Sequence, residues 1–175
     1  MSRCEFWQLP TPSARHAFGV CQDEPDKMIY VDADACPVKS EVMRVAERHG
    51  LVVHMVSNQW MRLSAHPLLK LQVVTGGLDK ADDWIVERIE RGDIAITADI
   101  PLAARCLAKG ARVIGPTGKP FNDDGIGMAL AMRDLNAQLR DSGEIRGGGP
   151  PFGNKERSRF LQTLEEVIQA IKRGK

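Results

Sequence analysis

The chain has 175 residues, 43% of them hydrophobic and 27% charged, which fits one ordinary globular domain and excludes a wholly disordered chain. Lys+Arg is 24 and Asp+Glu is 23, so the formal net charge is +1 and any phosphate-binding surface has to be local rather than an overall basic coat. No apolar run approaches the roughly 18 residues of a membrane helix, and Cys4, Cys21, Cys36 and Cys106 are too scattered for a disulfide framework or a zinc knuckle, so no membrane is expected and the cytoplasm is the expected compartment.

Residues 1–27 carry Pro10, Pro12 and Pro25 and show neither helical nor strand periodicity. They lack the apolar core of a signal peptide and are expected to form a poorly ordered extension, with Met28 an alternative start. The regular pattern begins at Met28-Ile29-Tyr30-Val31, a buried strand. Pro37 to His49 follows with Val38, Val42, Val45 and Ala46 at helical spacing, and Gly50 sits where a C-terminal cap belongs. Leu51 to Val56 is a second strand, and 57–67 is irregular and polar. Leu71 to Val74 is a short strand closed by Gly76-Gly77. Asp79 to Arg91 is a helix, Ile94 to Thr97 a strand, Leu102 to Lys109 a helix that stops at Gly110, and Ala111 to Ile114 a strand. Two helical stripes complete the chain. Met128, Met132, Leu135 and Leu139 form one, and Phe160, Leu164, Val167, Ile168 and Ile171 the other, with the loop Gly147-Gly148-Gly149-Pro150-Pro151 between them. Strands separated by helices of this length imply right-handed crossovers and a mainly parallel sheet covered on both faces, a three-layer α/β/α fold with both C-terminal helices packed on it. The expected organisation is an extension over 1–27 and one domain over 28–175.

In an open parallel sheet the working crevice lies beyond the carboxyl ends of the strands. Asp32 and Asp34 directly follow the first strand, and Asp99 follows the strand ending at Thr97. Asp79, Asp82 and Asp83 open a helix that follows another strand, at spacings that share a face. Any one of these is explained as a helix cap. Several together are harder to explain so, because two carboxylates about 4 Å apart at an effective dielectric of about 20 repel by about 4 kcal/mol. Convergence therefore calls for a cation or for a retained proton, and an all-oxygen cluster suits Mg²⁺ or Mn²⁺. The matching chemistry is metal-assisted phosphodiester hydrolysis.

The segments Val31-Asp32-Ala33-Asp34-Ala35-Cys36-Pro37, Ser57-Asn58-Gln59, Asp79-Lys80-Ala81-Asp82-Asp83-Trp84 and Thr97-Ala98-Asp99-Ile100-Pro101-Leu102-Ala103-Ala104 resemble the YaiI/YqxD family of uncharacterised bacterial proteins. Met132-Arg133-Asp134-Leu135 and Gly148-Gly149-Pro150 extend the resemblance over almost everything after residue 27. The family has no established activity. The resemblance implies a fold similar to PIN and NYN domains, whose best-known members are metal-dependent ribonucleases. It places Asp32, the Asp79/Asp82/Asp83 group and Asp99 where such nucleases carry their acidic residues, with Asp34 as an extra carboxylate.

The expected function is thus Mg²⁺- or Mn²⁺-dependent cleavage of RNA or another single-stranded nucleic acid. Asp32, Asp34, Asp83 and Asp99 are the candidate catalytic residues, and Asp32, Asp79, Asp82, Asp83 and Asp99 the candidate metal ligands. Asn58, Gln59, Arg62, Lys80, Thr97 and Arg133 are the candidate substrate contacts, Lys80 by steadying negative charge. Trp60 is a candidate base-stacking residue and Trp84, inside a helix, a core residue. Cys36 beside a helix start is either a reactive thiol or a packed small side chain, the second being expected. His54 alternates inside a strand and is expected to be buried. Arg133, Arg140, Arg146, Lys155, Arg157 and Arg159 give the C-terminal third a positive bias. Two other functions compete. A non-catalytic module would bind RNA or a protein through the same rim. Asp32-x-Asp34 is also similar to the nucleophile pair of haloacid dehalogenase-like phosphatases. Against that, Lys80 and Asp82-Asp83 precede Thr97 rather than follow it.

Overall fold

Strands with both faces apolar form the middle of the molecule. In the computed structural model these are β1 (Met28–Asp32), β2 (Val52–Ser57), β4 (Ile94–Ile96) and β5 (Arg112–Ile114), flanked by β3 (Leu69–Val73) and the short β6 (Pro120–Phe121). The helices are α1 (Lys39–His49), α2 (Lys80–Arg88), α3 (Ile100–Ala108), α4 (Asp123–Asp141) and α5 (Asn154–Lys172). The structure describes residues 27–34, 36–77, 79–141 and 152–174. The expected N-terminal extension and the Gly147–Pro151 loop lie almost wholly outside the described residues, as do Ala35, Leu78 and Arg146.

The sheet order is β3-β2-β1-β4-β5-β6, parallel except for β6. Ile29, Val31, Val53, Met55, Ile94, Ile96 and Ile114 face one core with Val42, Val45 and Ala46 of α1 and Phe160, Leu164 and Ile168 of α5. Tyr30, Val56, Ala95 and Val113 face the other, with Ala81 and Ile85 of α2 and Leu102, Ala103 and Cys106 of α3. The period of two along each strand thus feeds two helix layers, which is the three-layer α/β/α fold expected from the apolar runs. Gly50 closes α1 in the left-handed conformation (φ 69°), as its place after His49 implied. Gly118 (φ 77°) lies against α5, where a Cβ would stand 2.6 Å from the Phe160 amide nitrogen. Only glycine allows that approach.

Two features depart from the periodicity. β3 begins at Leu69 rather than Leu71, because the parallel ladder pairs Leu69 with Val53 and draws Leu69 and Lys70 into the edge strand. α4 packs beside α3 with Ile126 turned to the core, whereas Met128, Met132 and Leu135 are 70%, 50% and 48% exposed. Three of the four residues of that stripe therefore lie on the outer face of α4. The final stripe does pack: Phe160 and Leu164 are fully buried. Arg157 ties the start of α5 to α1 through the Glu41 carboxylate at 2.5 Å, which holds the Glu41 carboxyl below its usual range against its partial burial. No helix among the described residues is long and apolar enough to cross a membrane.

Candidate functional site

The chain runs from β1 outward to β2 and β3, then crosses back to β4 on the other side of β1. The strand order reverses between β1 and β4, and in open α/β sheets ligands bind in the crevice beyond that point. Asp32 is the last residue of β1, and Val31 pairs with Ile96, the last residue of β4. Thr97 and Asp99 therefore emerge beside Asp32.

A hydrogen-bond chain holds these groups. The buried Thr97 hydroxyl donates to Asp32 Oδ2 at 3.0 Å, and the Asp99 amide donates to Thr97 Oγ1 at 2.9 Å. Asp99 Oδ1 accepts from the Leu102 amide at 3.0 Å, so Asp99 is the N-cap of α3, followed by Pro101 in its first turn. Thr97, expected as a phosphate contact, thus orients Asp32. Desolvation pushes the Asp32 carboxyl up; the Thr97 bond opposes the shift, and the charges of Asp34 and Asp99 add to it.

Asp82 joins them from the first turn of α2. Its carboxyl is raised to about 6, first by burial and then by Asp32, Asp99 and Asp79, with Arg105 opposing. Carboxylates from three chain segments thus stand within electrostatic reach of one another. The other candidates go elsewhere. Asp83 pairs with Arg105 at 2.7 Å, and both side chains are largely solvated, so the pair is worth little by itself. Asp34 accepts from Ser57 Oγ at 2.5 Å and from the Asn58 amide at 2.9 Å, which engages both of its oxygens and clamps the end of β2 to the acidic turn. Asp79 precedes α2 without a side-chain capping bond, and Lys80 is exposed beside it. Gln59 and Arg62 are exposed on the segment after β2, and Arg133 pairs with its neighbour Asp134 on α4.

Arg105 and the bonding role of Ser57 are not legible in the sequence. Ser57 meets the acidic turn only once β1 and β2 are paired in register, and Arg105 meets Asp83 only when α2 and α3 are side by side. Cys36, His54 and Trp84 pack within the fold. Cys36 is buried in the first core, and that burial pushes its thiol up to about 11. His54 is half-buried and stacks on Tyr30 with centroids 5.2 Å apart, and burial lowers its pKa. Trp84 packs in the second core and carries Arg88 over its ring.

The donor set at the crevice is all oxygen and suits a hard divalent ion. Among the described residues no three carboxyl, imidazole or thiol groups close into a preformed cage. Mg²⁺ requires none: it keeps several waters and takes one or two carboxylates directly. Asp32, Asp82 and Asp99 are the residues that could hold such an ion.

The charge accumulation has a measurable consequence without metal. A carboxyl near 6 in the folded chain and near 3.9 unfolded binds more protons when folded, so its contribution to stability falls as pH rises from about 4 through about 6. Asp82→Asn removes that penalty. In chelator it is expected to raise stability by roughly 1 kcal/mol at pH 7.5, after allowance for partial solvation, and by nothing at pH 4. Urea denaturation at the two pH values checks it; a loss of stability at pH 7.5 contradicts the crowding.

No solved structure matches this chain. Among curated proteins it is similar to UPF0178 proteins of Parvibaculum lavamentivorans (62% identity over 145 residues, 83% of this chain and 95% of the relative) and Rhodospirillum rubrum (57% over 148 residues, 84% and 99%). A UPF0178 protein of Rhizobium meliloti is 53% identical over 146 residues, 83% of this chain and 100% of its own length. The model of the family described as "Uncharacterized BCR, YaiI/YqxD family" matches residues 30–170, which include every carboxylate of the crevice. On these matches the chain belongs to the YaiI/YqxD family.

Proposed function

We propose that this protein is a PIN-like, Mg²⁺- or Mn²⁺-dependent phosphodiesterase that cleaves RNA or another single-stranded nucleic acid. One observation carries the proposal: Asp32, Asp82 and Asp99 crowd negative charge at the strand-order reversal, and Arg105, the cation that opposes the rise at Asp82, is already paired with Asp83. A crowded carboxylate set opposes folding unless something positive fills it. When bound, the ion would supply charge neutralisation at the scissile phosphate and a water of lowered pKa. The chain's own part is positional. Thr97 bonds Asp32 Oδ2, the α3 cap engages Asp99, and the first turn of α2 carries Asp82. Asp34, bonded to Ser57 and Asn58, would secure the loop rather than act as a base.

A second reading is a binding module without turnover, and the lack of a closed cage among the described residues favours it. Incubation of the purified chain with labelled single-stranded RNA separates the two. Cleavage in Mn²⁺ that stops with chelator is the expected result. Retained binding with no product in any divalent ion would leave the module.

A further inference from the structure

A parallel connection usually carries a helix, but β2 reaches β3 through the irregular residues 58–68. This segment lies on the α1 side of the sheet and borders two hollows that share residues 62–66, as the ridge between them, and Leu69. One, of about 600 Å³, runs from Cys36 and Pro37 down α1; the other, of about 310 Å³, reaches Trp60. The first hollow starts at the residues that follow the acidic turn. The Asp34 bonds to Ser57 and Asn58 fasten the start of the ridge to that same turn.

Two properties of this surface are independent of the carboxylates. Lys39, Arg44 and Arg62 line the larger hollow, and among the described residues none of them has a carboxylate partner. The acid there, Glu47, faces His66 at 3.3 Å. Trp60 is 73% exposed, the highest value among the large hydrophobic residues described as exposed, and it stands two residues beyond the Asn58 amide bonded to Asp34. An unpaired cationic wall beside a solvent-facing indole is the combination that binds single strands: cations follow the backbone and the ring takes an unstacked base. A duplex keeps its bases stacked and offers nothing to the ring.

We propose that the 58–68 segment and the adjoining face of α1 form the track for a single-stranded nucleic acid, with Trp60 as stacking platform and Lys39, Arg44 and Arg62 as phosphate contacts, leading the strand to the acidic crevice. The inference rests on the phosphodiesterase reading for its direction, but its test does not. In chelator and at low salt, a short labelled RNA single strand is titrated into the full chain, followed by polarisation and by tryptophan fluorescence. Binding with quenching is expected, and duplex RNA of the same sequence binds more weakly. Trp60→Ala weakens single-strand binding about tenfold and removes the quenching, whereas Trp60→Phe stays within about threefold of wild type because a phenyl ring still stacks. Arg62→Ala reduces the slope of log affinity against log salt by about 0.7. Wild type that binds no single strand, or Trp60→Ala that binds and quenches like wild type, overturns the proposal. So does polyglutamate that displaces the strand at equal charge concentration, which would mark a docking surface for an acidic protein. Trp60-dependent binding without cleavage in Mn²⁺ would remove the hydrolase and keep the track; cleavage without Trp60 dependence would do the reverse.

Discussion

Asp32→Asn is expected to slow the proposed Mn²⁺-dependent cleavage of single-stranded RNA by about a thousandfold while leaving the fold intact. Asparagine keeps the oxygen that accepts the Thr97 hydroxyl and fits the same half-buried place at the end of β1. Only the charge is lost. Neutralising a phosphoryl group through a bound ion is worth several kcal/mol, and about 1.4 kcal/mol corresponds to tenfold in rate, so loss of one proposed direct ligand reaches the thousandfold range. The fold does not suffer, because burial and the charges of Asp34 and Asp99 already raise the Asp32 carboxyl. Removing that charge relieves the native state. Single-turnover cleavage and a thermal melt, run on the same preparation, check both halves. Equal rates for variant and wild type would show that the cleavage does not arise in this crevice.

Phe160→Ala has the largest expected effect on stability, about 3–5 kcal/mol. The ring is fully buried in the core shared by α1, α5 and one face of the sheet. Its backbone is pinned by the close approach of Gly118, so α5 cannot slide inward to fill the space. Against a total stability of about 5–15 kcal/mol, and at about 2–4 °C per kcal/mol for a chain of this size, the melting midpoint should drop by roughly 10 °C. A change of under about 1 kcal/mol in urea denaturation would mean that α5 does not close this core. Phe160 and Asp32 lie on different structural layers, so the two variants separate stability from chemistry.

Most of the architecture was legible because it rests on apolar runs. Ile29-Tyr30-Val31 and Ile94-Ala95-Ile96 bury both faces, and an unbroken run is what a central parallel strand requires. The edges were less legible. Leu69 and Lys70 join β3 only because Val53 and His54 are already held in β2 and offer ladder partners. The outer face of α4 misled for a different reason. Met128, Met132 and Leu135 repeat at helical spacing, but periodicity reports that a stripe exists and not which side of the helix meets the protein.

The candidate site divides along the same line. Asp32 and Asp99 could be placed from sequence because strand ends locate them, and the strand order then brings them together. Their sorting into roles could not. Asp83 is next to Asp82 in sequence, yet one turns to Arg105 while the other gathers the charges of Asp32 and Asp99. Asp34 is two residues from Asp32, yet its oxygens go to Ser57 and Asn58. These differences depend on partners brought in from other strands and helices, which no local pattern records.

The most direct measurement is the anomalous difference map of crystals soaked in Mn²⁺. A peak is expected beyond the carboxyl ends of β1 and β4, within ligand or water-bridged distance of Asp32, Asp82 and Asp99, and its loss is expected in Asp32→Asn crystals. Well-ordered crystals with no peak there, and the three side chains turned away from one another, would contradict that expectation.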